Sequence, residues 1–415
     1  MKSKDTVCIF GLGYVGLPLS ICFSKSFKVI GYDTDLNRIK HLQKGKDLSG
    51  ECKKIPSSIK FTNNLADCQN ANIFIVTVPT PVDSGNNPDL GPLRKASEDI
   101  ANILKEGDYI IYESTVFPGV TEDFCVPIIE KISKLKVNKD FFVGYSPERI
   151  VPGGDKDISQ IKKIVSGSNK KASKRIELIY SKIIKAGVYL TSSIKVAEAA
   201  KVIENTQRDL NIALLNELSV IFNQLGISTK EVVDAASTKW NFVKYSPGLV
   251  GGHCIGIDPY YLTFKAKKSG INPKLILTAR EINEGMSHYI CNVLIEKFIE
   301  KNIKINNSRI LILGYTFKEN CADDRNTKVK DIIEILEKYG SNITVYDPYI
   351  KKKGFLNRNP LEDNAKENYE AVVIPVSHKQ FHQMDINKVR SILKPGGLIF
   401  DLKGIFPTEK VDFQL

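Results

Sequence analysis

The chain holds one tryptophan, three methionines and five histidines, and its eight cysteines are dispersed. The nearest pair, Cys8 and Cys22, lie 14 residues apart, so no CxxC element exists. That spacing argues against a zinc ribbon and against a compact disulfide framework. It fits reduced thiols in a cytosolic compartment. His378 and His382 have i,i+4 spacing, but no third ligand accompanies them, so no metal site is expected. No apolar run approaches the roughly 18 residues that span a bilayer. Val7–Phe10 ends at Gly11 and is too short an apolar run for a signal peptide. A basic stripe with stacking aromatics is also missing, which argues against nucleic-acid binding.

What is present is ordinary for a soluble globular protein. The 415 residues are 42% apolar and 26% charged, enough for two or three domains at about 100–200 residues each. The net charge is +12, with lysines scattered among Ile and Asn. Such a pattern reads as a solvated lysine-rich surface, or as an attraction for polyanionic small molecules such as nucleotides.

Short Val-, Ile- and Phe-rich runs recur in the first half: Thr6–Gly11, Lys28–Asp33, Ala71–Pro79, Asp108–Ser114 and Phe141–Pro147. Longer periodic or polar segments separate them, the pattern of buried parallel strands with crossover helices. From Ile194 to Leu225 the spacing becomes helical, with neither Pro nor Gly. Helices continue around a Pro- and Gly-rich loop at Tyr245–Pro259 to about Lys301. Strand-like runs return at Arg309–Gly314, Asn342–Asp347, Ala371–Val376 and Gly397–Asp401. The expected α/β architecture is two Rossmann-like, doubly wound domains, residues 1–192 and 302–415, joined by a helical domain, residues 193–301. A long spine helix in the latter is the expected dimer interface. The segment RILILGYTFKEN with ITVYDP echoes VCIFGLGYVG with KVIGYD.

Gly11-Leu12-Gly13-Tyr14-Val15-Gly16 is a GxGxxG between a strand and a helix, the context that gives this motif meaning. Its glycines allow a tight turn and close approach of a pyrophosphate to backbone N–H groups. Asp33, ending the second strand, can bind both ribose hydroxyls and repel a 2′-phosphate, which favours NAD over NADP. Arg38 is close enough in sequence to approach the adenosine end.

The segment from Pro247 to Pro259 places Cys254 after Gly251, Gly252 and His253, with Asp258 four residues on. A thiolate there can attack an aldehyde and form a thiohemiacetal, which can lose a second hydride. His253 either depresses the thiol's pKa or serves as a local hydrogen-bonding group. Lys201 and Asn205 are four apart and share a helix face. A lysine facing a closed site can stabilise an oxyanion.

Together GLGYVGLPL, VPTPVD, YESTVFPG, GYSPERIVPG, KVIENTQRDLNIALLNEL, GGHCIGIDPYY and LGYTFKENCADDRNTKV resemble the UDP-glucose/UDP-mannose dehydrogenase family along nearly the whole chain. The resemblance implies two NAD-dependent oxidations at the sugar C6, then hydrolysis of an enzyme thioester. It implies Cys254 as nucleophile, Lys201 as oxyanion-stabilising cation and Asp258 as the partner for proton transfer and water activation. Thr115 and Asn205 match positions that hold the water or the reacting hydroxyl, and Glu148 matches a carboxylate near the thioester. Phe317 and Lys318 match UDP-holding residues, with Tyr245 and Gly251 also on the substrate side. Arg325 matches an arginine at the cofactor phosphates, and Thr80 is placed at the cofactor.

GGHCIGIDPYY, GYSPERIVPG and TKWNF resemble the UDP-N-acetylhexosamine branch, of the N-acetylglucosamine or N-acetylgalactosamine type. Arg149, Lys239 and Trp240 are candidates for the N-acetyl pocket, the last two from a partner subunit. The product's usual setting in the family is capsule or O-antigen synthesis. Two departures stand out. Asp324 puts a carboxylate beside Arg325, and IVPGGD carries one more glycine than the usual PGD. UDP-N-acetylmannosamine and UDP-glucose remain alternative substrates. A single-step hydroxyacid-type dehydrogenase would leave Cys254 and the residues after 302 without a purpose, and a non-enzymatic nucleotide-sensing protein would not need Cys254, Lys201 and Asp258 together.

Overall fold

The computed structural model describes residues 5–48, 52, 54–150, 157–361 and 368–415; the extra glycine of IVPGGD lies outside them. The chain divides into two compact units. The first runs to Glu204 and takes in Tyr260–Ile271. The second comprises Asn205–Pro259 and Asn272–Leu415.

Eight strands form the sheet of the first unit: β1 (Thr6–Phe10), β2 (Lys28–Tyr32), β3 (Ile59–Thr62), β4 (Ile73–Val76), β5 (Tyr109–Tyr112), β6 (Phe142–Tyr145), β7 (Lys163–Gly167) and β8 (Val188–Leu190). Their order is β3-β2-β1-β4-β5-β6-β7-β8, and only the β6–β7 pairing is antiparallel. The central strands are continuous apolar runs because helices cover both faces. β3, β7 and β8 escape the sequence reading because they are short or carry polar residues. The order reverses between β1 and β4, the crevice where doubly wound sheets bind ligands.

The second unit holds a four-stranded parallel sheet, β9 (Arg309–Leu313), β10 (Asn342–Tyr346), β11 (Tyr369–Ile374) and β12 (Leu393–Asp401), in the order β10-β9-β11-β12. The helix Lys274–Glu300 packs Met286, Ile290, Leu294 and Phe298 into one core with Ile310, Ile312, Val373 and Phe400. The four helical residues recur every four positions, as one apolar face requires. Burial of each contributes about 1.5–3 kcal/mol. The helix Ile194–Leu225 is continuous over its 32 residues, as its lack of Pro and Gly predicts. The fold class is therefore the one expected: two parallel-sheet, Rossmann-like domains with a central helical domain.

The echo between the ends of the chain is structural. Gly11 N–H donates to Tyr32 O at 2.9 Å, and Gly314 N–H donates to Tyr346 O at 2.8 Å. Leu12 N–H donates to Asp33 at 2.7 Å, and Tyr315 N–H donates to Asp347 at 2.6 Å. In the second copy, His378 is fully buried against Asp347 (3.1 Å) and accepts the Asn320 N–H through Nδ1 (3.0 Å).

Candidate active site

In the first unit, the turn after β1 has Gly11 at φ +91°, a conformation open to glycine. A Cβ on Gly16 would lie 1.8 Å from the Gly11 carbonyl oxygen. Gly13 has open space around it and is exposed, while Tyr14 and Val15 are half-buried beside it. The helix Gly16–Ser24 starts here, so its N-terminus and the glycine turn share one end of the sheet.

Asp33 accepts Leu12 N–H at one oxygen (2.7 Å) and Asp35 N–H at the other (2.9 Å). Each oxygen retains acceptor capacity for a ribose hydroxyl. These features fit a dinucleotide: a turn tightened at Gly16 and open at Gly13, a helix N-terminus for the pyrophosphate, and a carboxylate for the ribose. Arg38 donates to Leu12 O (2.9 Å) and to Asp47 (2.6 Å), so its guanidinium is held beside the glycine turn.

Thr80 donates to the Thr115 carbonyl at 2.8 Å, joining the loops after β4 and β5, and Tyr261 donates to the Thr80 carbonyl. Glu198, fully buried on the long helix, accepts the N–H groups of Gly119 (2.5 Å) and Thr121 (2.9 Å) and so ties down the Thr115 loop. Burial pushes Glu198 up to about 7, against the pull of those backbone donors. One turn on, Lys201 is 9% exposed.

Glu148 is buried beyond β6, and Arg149 pairs with Glu204 at 2.8 Å while donating to Lys162 O at 3.0 Å. Lys163 reaches Glu148 at 3.4 Å and Glu113 at 2.5 Å. Sequence reasoning missed this lysine. It is 15 residues from Glu148 and 50 from Glu113, with no local pattern to mark it.

In the second unit, the Cys254 loop is pinned along its length. Asn216 accepts the Gly248 N–H (2.7 Å) and donates to the Gly248 carbonyl (3.1 Å). Gly252 N–H donates to Asn326 O at 3.2 Å. A Cβ on Gly251 would lie 2.5 Å from Asn326 O, and one on Gly252 would lie 2.6 Å from the Phe317 ring. The two glycines are thus required for close packing against the strand-following loop that carries Phe317 and Lys318. Asn216 and Asn326 had no distinguishing signal in the sequence.

The Cys254 side chain is exposed, and its carbonyl accepts Asp258 N–H at 2.8 Å. Asp258 is 3% exposed and accepts from Asn205 at 2.5 Å. The Cys254 backbone carbonyl, Asp258 and Asn205 are therefore linked by hydrogen bonds. Lys318 lies 5.5 Å over the Phe317 ring, and Tyr245 is half-buried in the loop. Lys239 is exposed and Trp240 is 92% exposed.

His253 packs edge-on to Phe317. Burial lowers its pKa and the Arg325 charge adds to this, while Asp323 opposes. The shift works against a positive charge beside the thiol, and His253 Nδ1 lies 4.0 Å from Asp323 Oδ2. Arg325 is bound by Asp323 (2.9 and 2.7 Å), not by the suspected Asp324. Asp324 pairs with Lys352. The extra carboxylate thus turns away from the arginine.

Three models of the UDP-glucose/GDP-mannose dehydrogenase family match the chain: its NAD binding domain over residues 5–184, its central domain over 195–285 and its UDP binding domain over 311–408. The mannose member is GDP-linked, which corrects the UDP-mannose of the sequence reading. The chain is 48% identical over 418 residues to the UDP-N-acetyl-D-glucosamine 6-dehydrogenase of Pseudomonas aeruginosa, covering 99% of each. To the Salmonella typhi enzyme of the same name it is 46% identical, covering 99% of this chain and 98% of the relative. It is also similar to the solved structure of the UDP-D-ManNAc dehydrogenase from Pyrococcus horikoshii, with TM-score 0.90, 31% identity, and 97% and 96% of the two chains covered. The chain belongs to the UDP-glucose/GDP-mannose dehydrogenase family, and its glycine turn and Asp33 lie in that family's NAD-binding domain.

Proposed function

We propose that this enzyme oxidises the C6 alcohol of a UDP-N-acetylhexosamine, UDP-N-acetylglucosamine first among them, to the carboxylate. The observation that carries the chemistry is an exposed thiol on a glycine loop, tied through its own carbonyl to Asp258, whose carboxylate is held by Asn205. The substrate rests on identity: 46–48% to UDP-N-acetyl-D-glucosamine 6-dehydrogenases against 31–35% to UDP-N-acetyl-D-mannosamine dehydrogenases.

NAD, when bound, accepts one hydride in each of two oxidations. In balance, R–CH2OH, two NAD⁺ and one water give R–COO⁻, two NADH and three protons. Thr115 and Asn205 orient the reacting hydroxyl or water. Cys254 adds to the aldehyde as a thiolate, and Lys201 stabilises the oxyanion. Asp258 and Glu148 serve proton transfer and thioester hydrolysis, in which the C–S bond breaks and a water oxygen replaces sulfur. Phe317 and Lys318 hold the UDP, and Arg325 serves the cofactor phosphates.

The domain division near 192 and 301 fits this division of labour. A homodimer through the long helix accounts for its stripe of exposed Ile203, Leu214, Ile221 and Leu225, and would bring Lys239 and Trp240 of one chain toward its partner. No helix among the described residues is long and apolar enough to cross a membrane. A cytoplasmic enzyme feeding surface-polysaccharide synthesis is the setting we infer.

The test is catalytic efficiency over a panel of UDP-sugars at saturating NAD, with NADH counted per sugar consumed. Two NADH are expected. UDP-N-acetylglucosamine should exceed UDP-glucose by roughly 10- to 100-fold, because a pocket built for the acetamido group is left with unpaired polar groups. One NADH per sugar would refute the covalent route, and equal use of UDP-glucose would refute the N-acetyl preference.

A further inference from the structure

Three charged side chains are buried together in the first unit. Glu113 follows β5, Glu148 lies beyond β6 and Lys163 opens β7; they are 1%, 7% and 2% exposed. Lys163 Nζ lies 2.5 Å from Glu113 Oε2 and 3.4 Å from Glu148 Oε2. The other oxygen of Glu148 accepts the N–H groups of Arg149 (2.6 Å) and Ile150 (2.5 Å). Tyr180, fully buried on the helix Lys170–Ser181, donates to Glu113.

A buried ammonium is costly, and one carboxylate suffices to neutralise it. Here two compete for it. Burial pushes Glu113 up to about 7, with the Lys163 charge opposing and the Glu148 charge adding. Burial also works against the charge on Lys163, but the two carboxylates outweigh it and raise its pKa. Cys22, on the helix Gly16–Ser24, also faces the cluster; burial pushes its thiol up to about 11, so it stays neutral. Glu113 is therefore protonated more readily than an ordinary glutamate. When it takes a proton from solvent, Lys163 faces one anion instead of two.

We propose that Lys163 is a positioning residue that holds Glu148 as a fixed carboxylate for the reaction, and that Glu113 with Tyr180 sets how strongly it does so. This rests on the reading of Glu148 as a substrate-side group.

The experiment compares Lys163→Met, Lys163→Arg, Glu113→Gln and Glu148→Gln in the full-length enzyme with UDP-N-acetylglucosamine and NAD. Lys163→Met should lower kcat by roughly 100-fold, the scale of a misplaced reacting group, while KM for the sugar changes less than about threefold. Its acid limb should move to higher pH, because the carboxylate has lost its cation. Lys163→Arg should restore most of the turnover, and Glu113→Gln should flatten the pH dependence between about 6 and 8.

Lys163→Met leaves two buried carboxylates without a cation. Should it fail to fold, the double variant Glu113→Gln/Lys163→Met takes its place with the same expectations. Turnover near that of wild type with an unchanged pH profile would overturn the proposal. The Glu148→Gln variant separates the causes. If it is inactive while the Lys163 variant is active, only the role of Lys163 falls. If it is fully active, the reading of Glu148 falls and the proposal with it.

Discussion

The side-chain amide of Asn205 donates to Asp258 Oδ2 at 2.5 Å, although the two residues are 53 positions apart. Asp258 is thereby fixed at both ends: its N–H is on the Cys254 carbonyl and its carboxylate is on the long helix. A proton-transfer group needs this kind of constraint, because its efficiency depends on hydrogen-bond reach. Asp258→Asn should lower turnover by about 100-fold or more, with the thioester accumulating on Cys254. Asn205→Ala should lower it less, since the carboxylate survives. Intact-protein mass after mixing with substrate and NAD reads the adduct. Wild-type turnover in Asp258→Asn would remove Asp258 from the chemistry.

Cys254→Ser should abolish steady-state turnover. A serine hydroxyl is far less ionised than a thiol near neutrality and is a poorer leaving group. NADH formation followed spectrophotometrically provides the check, and near-normal rates in this variant would exclude the covalent mechanism.

Asp33→Ala should weaken NAD binding and narrow the preference over NADP. The carboxylate is held by Leu12 and Asp35 amides, and loses to the variant both its ribose hydrogen bonds and its repulsion of a 2′-phosphate. Titration of both cofactors against wild type and variant decides it; an unchanged ratio of affinities would mean that another group reads the ribose.

Glu198 should make the protein less stable as pH rises. Its pKa moves from 4.5 to about 7 on folding, chiefly through burial. The folded state therefore binds more protons than the unfolded state between those values, so stability falls as pH rises through that window. The full effect above pH 7 is about 3 kcal/mol. Urea midpoints of wild type and Glu198→Gln between pH 5 and 8 should diverge, wild type declining relative to the variant. Parallel curves would show that Glu198 titrates as an ordinary carboxylate.

Much of the site is legible in the residue order. GxGxxG between a strand and a helix, a carboxylate ending the next strand, and a cysteine after two glycines are local patterns whose meaning comes from backbone sterics. Gly16 and Gly252 illustrate it, since a Cβ at either would overlap the Gly11 carbonyl or the Phe317 ring. The long helix is legible for the same reason, being a periodic run without breakers. Short or polar strands such as β7 are not, because their pairing with neighbours, not their own pattern, makes them strands.

What the amino-acid order determined by itself, then, is the alternation of strands and helices, the spine helix, the nucleotide turn and the cysteine loop, all of which follow from local periodicity and steric allowance. Tertiary structure alone decided the electrostatic pairings. It set Asp323 rather than Asp324 on Arg325, lowered the pKa of His253 by burial, joined Asn205 to Asp258 and placed Lys163 between two glutamates. Charge pairing and desolvation depend on which side chains meet in space and on how much water is excluded around them. Neither quantity exists until the chain has folded.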